Sequence, residues 1–350
     1  MNKIFVDASK KYYVYVEGAL LGRVGAFSKE NGLSGKAAII SDTNVAPLYM
    51  HTVKKSLEDS GFKVCTYVFE SGEASKNAET FVEILNFLAE NKIGRTDTVF
   101  ALGGGVVGDM AGFCAATYLR GVNFVQLPTS LLAMVDSSVG GKTAIDLKHG
   151  KNLAGAFYQP RFVLCDTDTL DTLPSTYYND AMAEIVKYAF IYDDSIVSLL
   201  KEDEPDVTKI ITRCIEIKSE VVAKDEFEGG LRKILNFGHT VGHSVELLSD
   251  YKIPHGNAVA IGMFVITNAL EKRGECKRGT TNELLRLLEM YSLPHKCDFS
   301  AESLAEKALN DKKATGDTIS LVTISEIGKS GCKKIDFLTL RELIEEGLKE

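Results

Sequence analysis

No apolar run in this 350-residue chain is long enough to cross a bilayer. The longest, 258–270, falls well short of the roughly 20 residues that a spanning helix needs. The N-terminal MNKIFVDASK lacks the apolar core of a signal peptide. Paired cysteine motifs are missing too. Cys65, Cys114, Cys165, Cys214, Cys276, Cys297 and Cys332 are odd in number, scattered and never in a CxxC pair, which predicts reduced thiols rather than a disulfide framework or a cysteine metal site. Basic charge is in deficit: 40 Lys and Arg against 48 Asp and Glu give a net charge of −8, so the chain has no overall basic footprint for nucleic acid or an anionic membrane. Together these absences predict a cytoplasmic protein that binds neither, while leaving room for a local basic pocket that takes a small anion.

What is present reads as an ordinary globular protein, 45% hydrophobic and 25% charged, with 30 Gly and 7 Pro and no low-complexity stretch. At roughly 100–200 residues per domain, its length predicts two domains. The first half alternates short β-branched runs (12–16, 36–41, 64–69, 98–104, 123–128) with helical stretches (43–60, 77–92, 106–118). That alternation predicts a mostly parallel sheet covered by helices, with a ligand at the carboxyl ends of the strands. From about residue 175 helical patterns take over, and one late run, ISLVTI at 319–324, predicts either a small hairpin or a strand returning to the first domain.

Three clusters carry chemistry. In ALGGGVVGDMAGF, from Ala101, an apolar strand runs into glycines and then a helix. Gly103, Gly105 and Gly108 match the dinucleotide fingerprint G-x-G-x-x-G, where backbone can approach a pyrophosphate at a helix N-terminus, although a flexible turn gives the same pattern. The next stretch gathers Thr129, Ser130, Asp136, Lys142, Lys148, Lys151 and Asn152, suited to an anionic, polyhydroxylated ligand or to a solvated charged loop. Its GGKT is not a Walker A motif, because Asp136 stands where the first glycine is required.

The third cluster is RKILNFGHTVGHSVE followed by PHGNAVAIGM. His239 and His243 share a helical face, and His255 follows after Pro254. Three imidazoles this close suit Zn²⁺, which in catalytic sites takes three protein ligands and an open position. HTVGH lacks the Glu of the HExxH proteases. A carboxylate could complete the set. Glu184 is one candidate, but Lys187 three residues on would equally make the two a routine surface salt bridge.

Taken in order, SDTNV, SGEASK, GGGVVGDMAGF, YLRGVNFVQLPTSLLAMVDSSVGGKT, GKNLAGAFYQP, AEIVKY, GLRKILNFGHTVGH, PHGNAVAIGM and DKK resemble the 3-dehydroquinate synthases, of the sugar-phosphate cyclase group related to glycerol and iron-containing alcohol dehydrogenases. The resemblance spans most of the chain. It implies an α/β N-terminal Rossmann-like NAD-binding domain over 1–172 and a mainly α-helical C-terminal metal- and substrate-binding domain over 173–350. It also implies Glu184, His239 and His255 as ligands of Zn²⁺ or Co²⁺, with His243 left as a catalytic imidazole. Asp42, Asn44, Glu73, Lys76, Gly104, Gly105, Val106, Asp109, Thr129, Ser130, Lys142, Lys151 and Thr172 fall where the cofactor NAD is held. Asp136, Lys142, Asn152, Lys187, Lys218, Arg232, Asn236, Lys312 and Lys313 fall where the sugar-phosphate substrate is held. Arg120 matches an arginine that reaches the neighbouring subunit, which implies a homodimer.

The reaction implied is that of an NAD- and divalent-metal-dependent carbon–oxygen lyase of the shikimate pathway, which converts 3-deoxy-D-arabino-heptulosonate 7-phosphate to 3-dehydroquinate and phosphate. In it, transient oxidation acidifies a C–H bond, phosphate leaves and takes the proton itself, the hydride returns, the ring opens and an aldol closure follows. Cyclases of the 2-deoxy-scyllo-inosose type usually lack the second histidine of GHxxGH, and valiolone-type cyclases alter the substrate-binding Asn and Lys positions; His243, Lys218, Asn236 and Arg232 are all present here. A metal-dependent polyol dehydrogenase would release NADH and has less use for so many cations, and a non-catalytic binding protein has no use for a full ligand set. The chain departs from the family at Asp180–Ala181, where Ser-Gly is common, at Ser130, where Thr is usual, and at Asn257, where Glu is usual. Asn257 adjoins His255, so that departure bears on hydrogen bonding around the metal.

Overall fold

Strand β3 (Lys36–Asp42) is nearly continuous in apolar residues, and its side chains alternate between two cores. Ala37 and Ile39 pack with Phe100, Leu102, Val125 and Leu127 in one, and Ala38 and Ile40 pack with Val99, Ala101 and Phe124 in the other. A strand buried on both faces belongs inside a helix-covered parallel sheet. The computed structural model, which describes residues 1–310 and 318–349, shows that sheet. Its seven strands are β1 (Asn2–Val6), β2 (Tyr12–Glu17), β3, β4 (Lys63–Phe69), β5 (Thr98–Gly103), β6 (Asn123–Pro128) and β9 (Phe162–Asp166), in the order β1-β2-β9-β6-β5-β3-β4. All neighbours run parallel except β1 and β2. Helices α1 (Val24–Glu30) and α2 (Ala46–Asp59) cover one face, and α3 (Ala78–Glu90) and α4 (Gly105–Thr117) the other.

The strand order reverses at β3, because β4 lies on one side of it and β5 on the other. At such a switch point the loops that leave the strand ends diverge and open a crevice. Each strand and helix expected in this region forms, with ends moved by a few residues. The charged-loop alternative for the stretch from Thr129 to Asn152 does not hold over its second half, where the chain forms the hairpin of β7 (Lys142–Leu147) and β8 (Gly150–Phe157).

The chain divides into two units, one of 1–173 with 207–227 and one of 174–206 with 228–350. A single boundary between 172 and 173 therefore needs correction. Helix α7 (Val207–Lys224) follows that boundary yet packs on β1 and β2, where Ser219 Oγ donates to the Phe5 carbonyl at 2.8 Å. Its apolar face supplies the cover that β1 and β2 need, which is why sequence position misassigns it.

The second unit is helical, as expected, with α5 (Ser175–Ile191), α6 (Ser195–Leu200), α8 (His239–Leu248), α9 (His255–Lys272), α10 (Thr280–Met290), α11 (Ala301–Asn310) and α12 (Phe337–Leu348). The late β-rich run is a hairpin of β10 (Thr318–Glu326) and β11 (Lys329–Asp336), held to α5 by Gly328 N–H to the Phe190 carbonyl at 3.0 Å. It does not return to the parallel sheet. The 258–270 run is the buried body of α9.

Helix α8 lies against α9 at a seam of small residues. Gly238, at φ +79°, sits in the left-handed region and turns the chain into α8 just before His239. A Cβ on Gly262 would collide with the Gly238 carbonyl oxygen, and one on Gly242 would meet the Ala258 oxygen at 3.0 Å. Gly262→Ala is expected to cost about 1–3 kcal/mol through overpacking, read as a lowered midpoint in urea denaturation followed by circular dichroism.

Candidate functional site

In the first unit the residues expected to hold a dinucleotide gather at the carboxyl edge of the parallel sheet. Asp42 ends β3, Gly104 and Gly105 follow β5, and Thr129 and Ser130 follow β6, at one level because Ser41 pairs with Leu102 and Gly103 with Pro128. Asp42 Oδ1 accepts from the amides of Asn44 and Val45, both at 2.9 Å, and so fixes the turn out of β3. Gly104 caps α4 without a side chain, and Val106 lies in the first turn. A Cβ at Gly104 or Gly105 would narrow the space before Ser130 or Ser137, 3.3 Å away in each case, and one at Gly108 would strike Gln126. The glycines thus leave bare amides at a helix N-terminus, a cradle that fits a pyrophosphate. Thr172 meets the Tyr49 hydroxyl at 2.5 Å, and Glu73 and Asn44 are exposed nearby in sequence to this edge.

Lys76 ties this edge to the β7–β8 hairpin. Its ammonium, 5% exposed, donates to Asp109 Oδ2 at 2.7 Å and to Asn152 Oδ1 at 2.6 Å. Burial alone would lower the Lys76 pKa, but the carboxylates of Asp109 and Glu73 prevail and raise it. Burial pushes the Asp109 carboxyl up, against the pull of Lys76. Asn152 adopts φ +57°, held there by its own N–H to Asp146 Oδ1 at 2.7 Å. Lys218, buried on α7, reaches Asp136 Oδ1 at 2.8 Å, so two residues far apart in sequence meet. Lys142 is exposed at the start of β7, Lys151 is half-buried on β8, and Arg120 is exposed at φ +64°.

The second unit assembles the third cluster. Glu184 and Lys187, 1% exposed each, form an ion pair on α5, so the alternative of a routine surface bridge gives way to a buried pair. His239 Nε2 and His255 Nε2 each lie 3.6 Å from Glu184 Oε1. Two ligand atoms about 2.0–2.2 Å from a tetrahedral ion stand about 3.3–3.6 Å apart, so the spacing suits a shared cation better than a hydrogen bond. The far nitrogens are also engaged: His239 Nδ1 lies 3.1 Å from the Phe237 carbonyl, and His255 Nδ1 lies 3.3 Å from Glu246 Oε2. Such partners fix ring orientation and leave Nε2 for a metal. Burial holds the His239 pKa well below its usual value, which favours the neutral ligand form. Burial opposes protonation of His255 as well, but Glu184 and Glu246 outweigh it and raise that pKa to about 10.

His243 stands beside the set, its ring centre 5.3 Å from that of His239 and 6.1 Å from that of His255. Arg232 is 2% exposed in the turn before α8, and the Asn236 amide donates to Glu228. A second group, His243, Glu246 and His255, also converges, but there Glu246 already serves as the acceptor for the His255 ring. Lys312 and Lys313 lie outside the described residues.

Residues 66–180 match the family model described as 3-dehydroquinate synthase N-terminal, and residues 181–314 the one described as 3-dehydroquinate synthase C-terminal. The 3-dehydroquinate synthase of Clostridium kluyveri is 43% identical, covering 98% of this chain and 97% of its own. This chain belongs to the 3-dehydroquinate synthase family. The 3-dehydroquinate synthase of Geobacter metallireducens is 45% identical, covering 99% of this chain and 98% of its own. A solved 2-epi-5-epi-valiolone synthase from Streptomyces hygroscopicus, with NAD⁺ and Zn²⁺ bound, is 25% identical at a TM-score of 0.87 and covers 97% of this chain and 96% of its own. The 3-dehydroquinate synthase fold thus extends over both units.

Sequence reasoning missed two groups in this family member. Glu246 lies three residues after His243 and seven after His239, the spacing of one helical face, so a wheel drawn through HTVGHSVE points to it. Glu228, which accepts from Asn236, sits in an irregular turn and gives no periodic signal. Lys76→Ala would leave Asp109 without its ammonium; because that carboxylate keeps some solvent exposure, the expected loss is about 1–3 kcal/mol, measured by thermal or urea unfolding.

Proposed function

We propose that this chain converts 3-deoxy-D-arabino-heptulosonate 7-phosphate to 3-dehydroquinate and phosphate, using NAD and a divalent metal, Zn²⁺ or Co²⁺. The observation that carries this reading is the convergence of Glu184, His239 and His255, each histidine oriented through its other nitrogen, in a chain that matches 3-dehydroquinate synthases from end to end.

Glu184, His239 and His255 would hold the metal, and the glycine cradle after β5, with Asp42, Asn44, Glu73, Lys76, Asp109, Thr129, Ser130, Lys151 and Thr172, would hold NAD. When bound, NAD takes up and returns a hydride and the metal polarises the oxygen at the reacting carbon. Product and phosphate together are at the oxidation level of the substrate, so NAD ends each turnover as it began. The work left to the side chains is charge and position. Lys187 is paired with Glu184, which fixes its ammonium where it would hold a substrate hydroxyl or carboxylate beside the metal. Arg232 and Lys218 keep fixed positive charge in buried surroundings, where it acts more strongly on a phosphate or carboxylate than it would in water. Asp136, Asn152 and Asn236, all held by hydrogen bonds, present polar groups to the substrate hydroxyls. His243, beside the ligand set, is suited to proton transfer.

The same reading makes the protein a cytoplasmic homodimer in which Arg120 reaches the partner's phosphate site. Arg120 is exposed, as that role would require. No described helix is long and apolar enough to cross a membrane.

Metal-loaded protein with catalytic NAD⁺ is expected to release phosphate from 3-deoxy-D-arabino-heptulosonate 7-phosphate with no net NADH by absorbance. Accumulating NADH without stoichiometric phosphate would instead identify a dehydrogenase. His255→Ala is expected to lose bound metal, measured by elemental analysis, together with turnover. His243→Ala should keep its metal and lose turnover by about 10²- to 10⁴-fold; equal metal loss in the two variants would overturn the ligand assignment.

A further inference from the structure

Helix α9 starts at His255, and Pro254 before it has no side chain that can cap it. Its first turn holds no acidic residue either. The first amides of any helix lack partners within it and favour negative charge. Here that charge comes from another helix: Asp180 Oδ1 on α5 accepts the Asn257 N–H at 2.8 Å, and the Asp180 carboxylate also takes the N–H of Gly256. Gly256 permits the approach, since a Cβ there would collide with the Asp180 carbonyl oxygen and come within 2.9 Å of its carboxyl carbon. Asp180 lies four residues, or about one turn, before Glu184, so both carboxylates stand on one face of α5.

We propose that Asp180 is a positioning residue: by capping α9 through Gly256 and Asn257 it sets the spacing of Glu184 and His255, and so the affinity of the site for a divalent cation. The inference rests on the metal reading given above. A cap supplied within α9 would satisfy the same amides without joining the two helices. A cap supplied from α5 makes the first residue of one helix a fixed distance from a carboxylate one turn along the other.

The test uses the full-length chain stripped with a chelator and titrated with Co²⁺, following the visible d–d absorption in competition with a chelator of known affinity. Asp180→Ala is expected to weaken Co²⁺ binding about 10- to 100-fold and to alter the band shape, as loss of an orienting partner does at metal sites. Asp180→Asn, which keeps an oxygen to accept the amide hydrogens, should recover most of that affinity. Co²⁺ binding by Asp180→Ala equal to that of the parent chain overturns the proposal, as does an Asp180→Asn variant no better than Asp180→Ala. A parent chain that binds no Co²⁺ overturns the metal reading and this proposal with it. Should Asp180→Ala fail to fold, Gly256→Ala carries the test: its Cβ forces α9 away from Asp180, and unchanged Co²⁺ affinity in that variant is the contrary result.

Discussion

A carboxylate buried to 1% exposure sets the terms for the helical unit. An ionised group removed from water is costly unless countercharge or polar partners surround it, and Glu184 draws its partners from three helices. Lys187 supplies a charge from α5 itself, His255 stands as a second partner at the first residue of α9, and His239, kept neutral by burial, turns its Nε2 toward the same oxygen from the first residue of α8. Both histidines sit at helix starts, where backbone geometry is fixed by what precedes them: a left-handed glycine in one case and a proline in the other. The seam of Gly238, Gly242 and Gly262 then lets α8 and α9 approach closer than side chains at these positions would allow. Side chains that meet at Glu184 are therefore placed by backbone contacts, not by their own flexibility, as a preorganised site requires.

Much of this was legible in the sequence. The parallel sheet followed from alternating β-branched and helical runs, and the glycine cradle from three glycines after an apolar strand, because each depends on neighbours in sequence. The histidine cluster was legible as a cluster. The carboxylate that joins it was not, since Glu184 lies 55 residues before His239 and its helical pattern is that of any buried glutamate. Only the family resemblance named it, and the folded chain then brought its carboxylate within 3.6 Å of both rings. The β7–β8 hairpin escaped because KTAIDL and GKNLAGAF mix charged, small and apolar residues, with little of the β-branched enrichment that marks the sheet strands. Helix α7 lies in the stretch expected to be helical, but a boundary at 172–173 puts it in the other unit, because amphipathic periodicity shows that a face is buried and not against what.

The polar connections also differ in kind between the two units. In the helical unit, charge converges on one point. In the sheet unit it runs along a line, from Asp109 through Lys76 to Asn152 and Asp146, so that a residue beside the glycine cradle is linked to the hairpin tip by three hydrogen bonds. A line of this type transmits position: displacing Lys76 releases both its partners.

The return of α7 to the sheet unit has a consequence for biosynthesis. Residues 1–173 leave the ribosome with β1 and β2 still lacking the helix that covers them, and the chain must emit another 33 residues of the other unit before that helix begins at Val207. The sheet unit can complete its core, and the Asp136–Lys218 pair can form, only when residue 227 has emerged. The first helix of the second unit, α5, precedes its partners α8 and α9 in the chain, so Glu184 and Lys187, three residues apart, are both made before either histidine. Vectorial synthesis thus interleaves the two units, so that the sheet unit is finished only after the helical unit has begun.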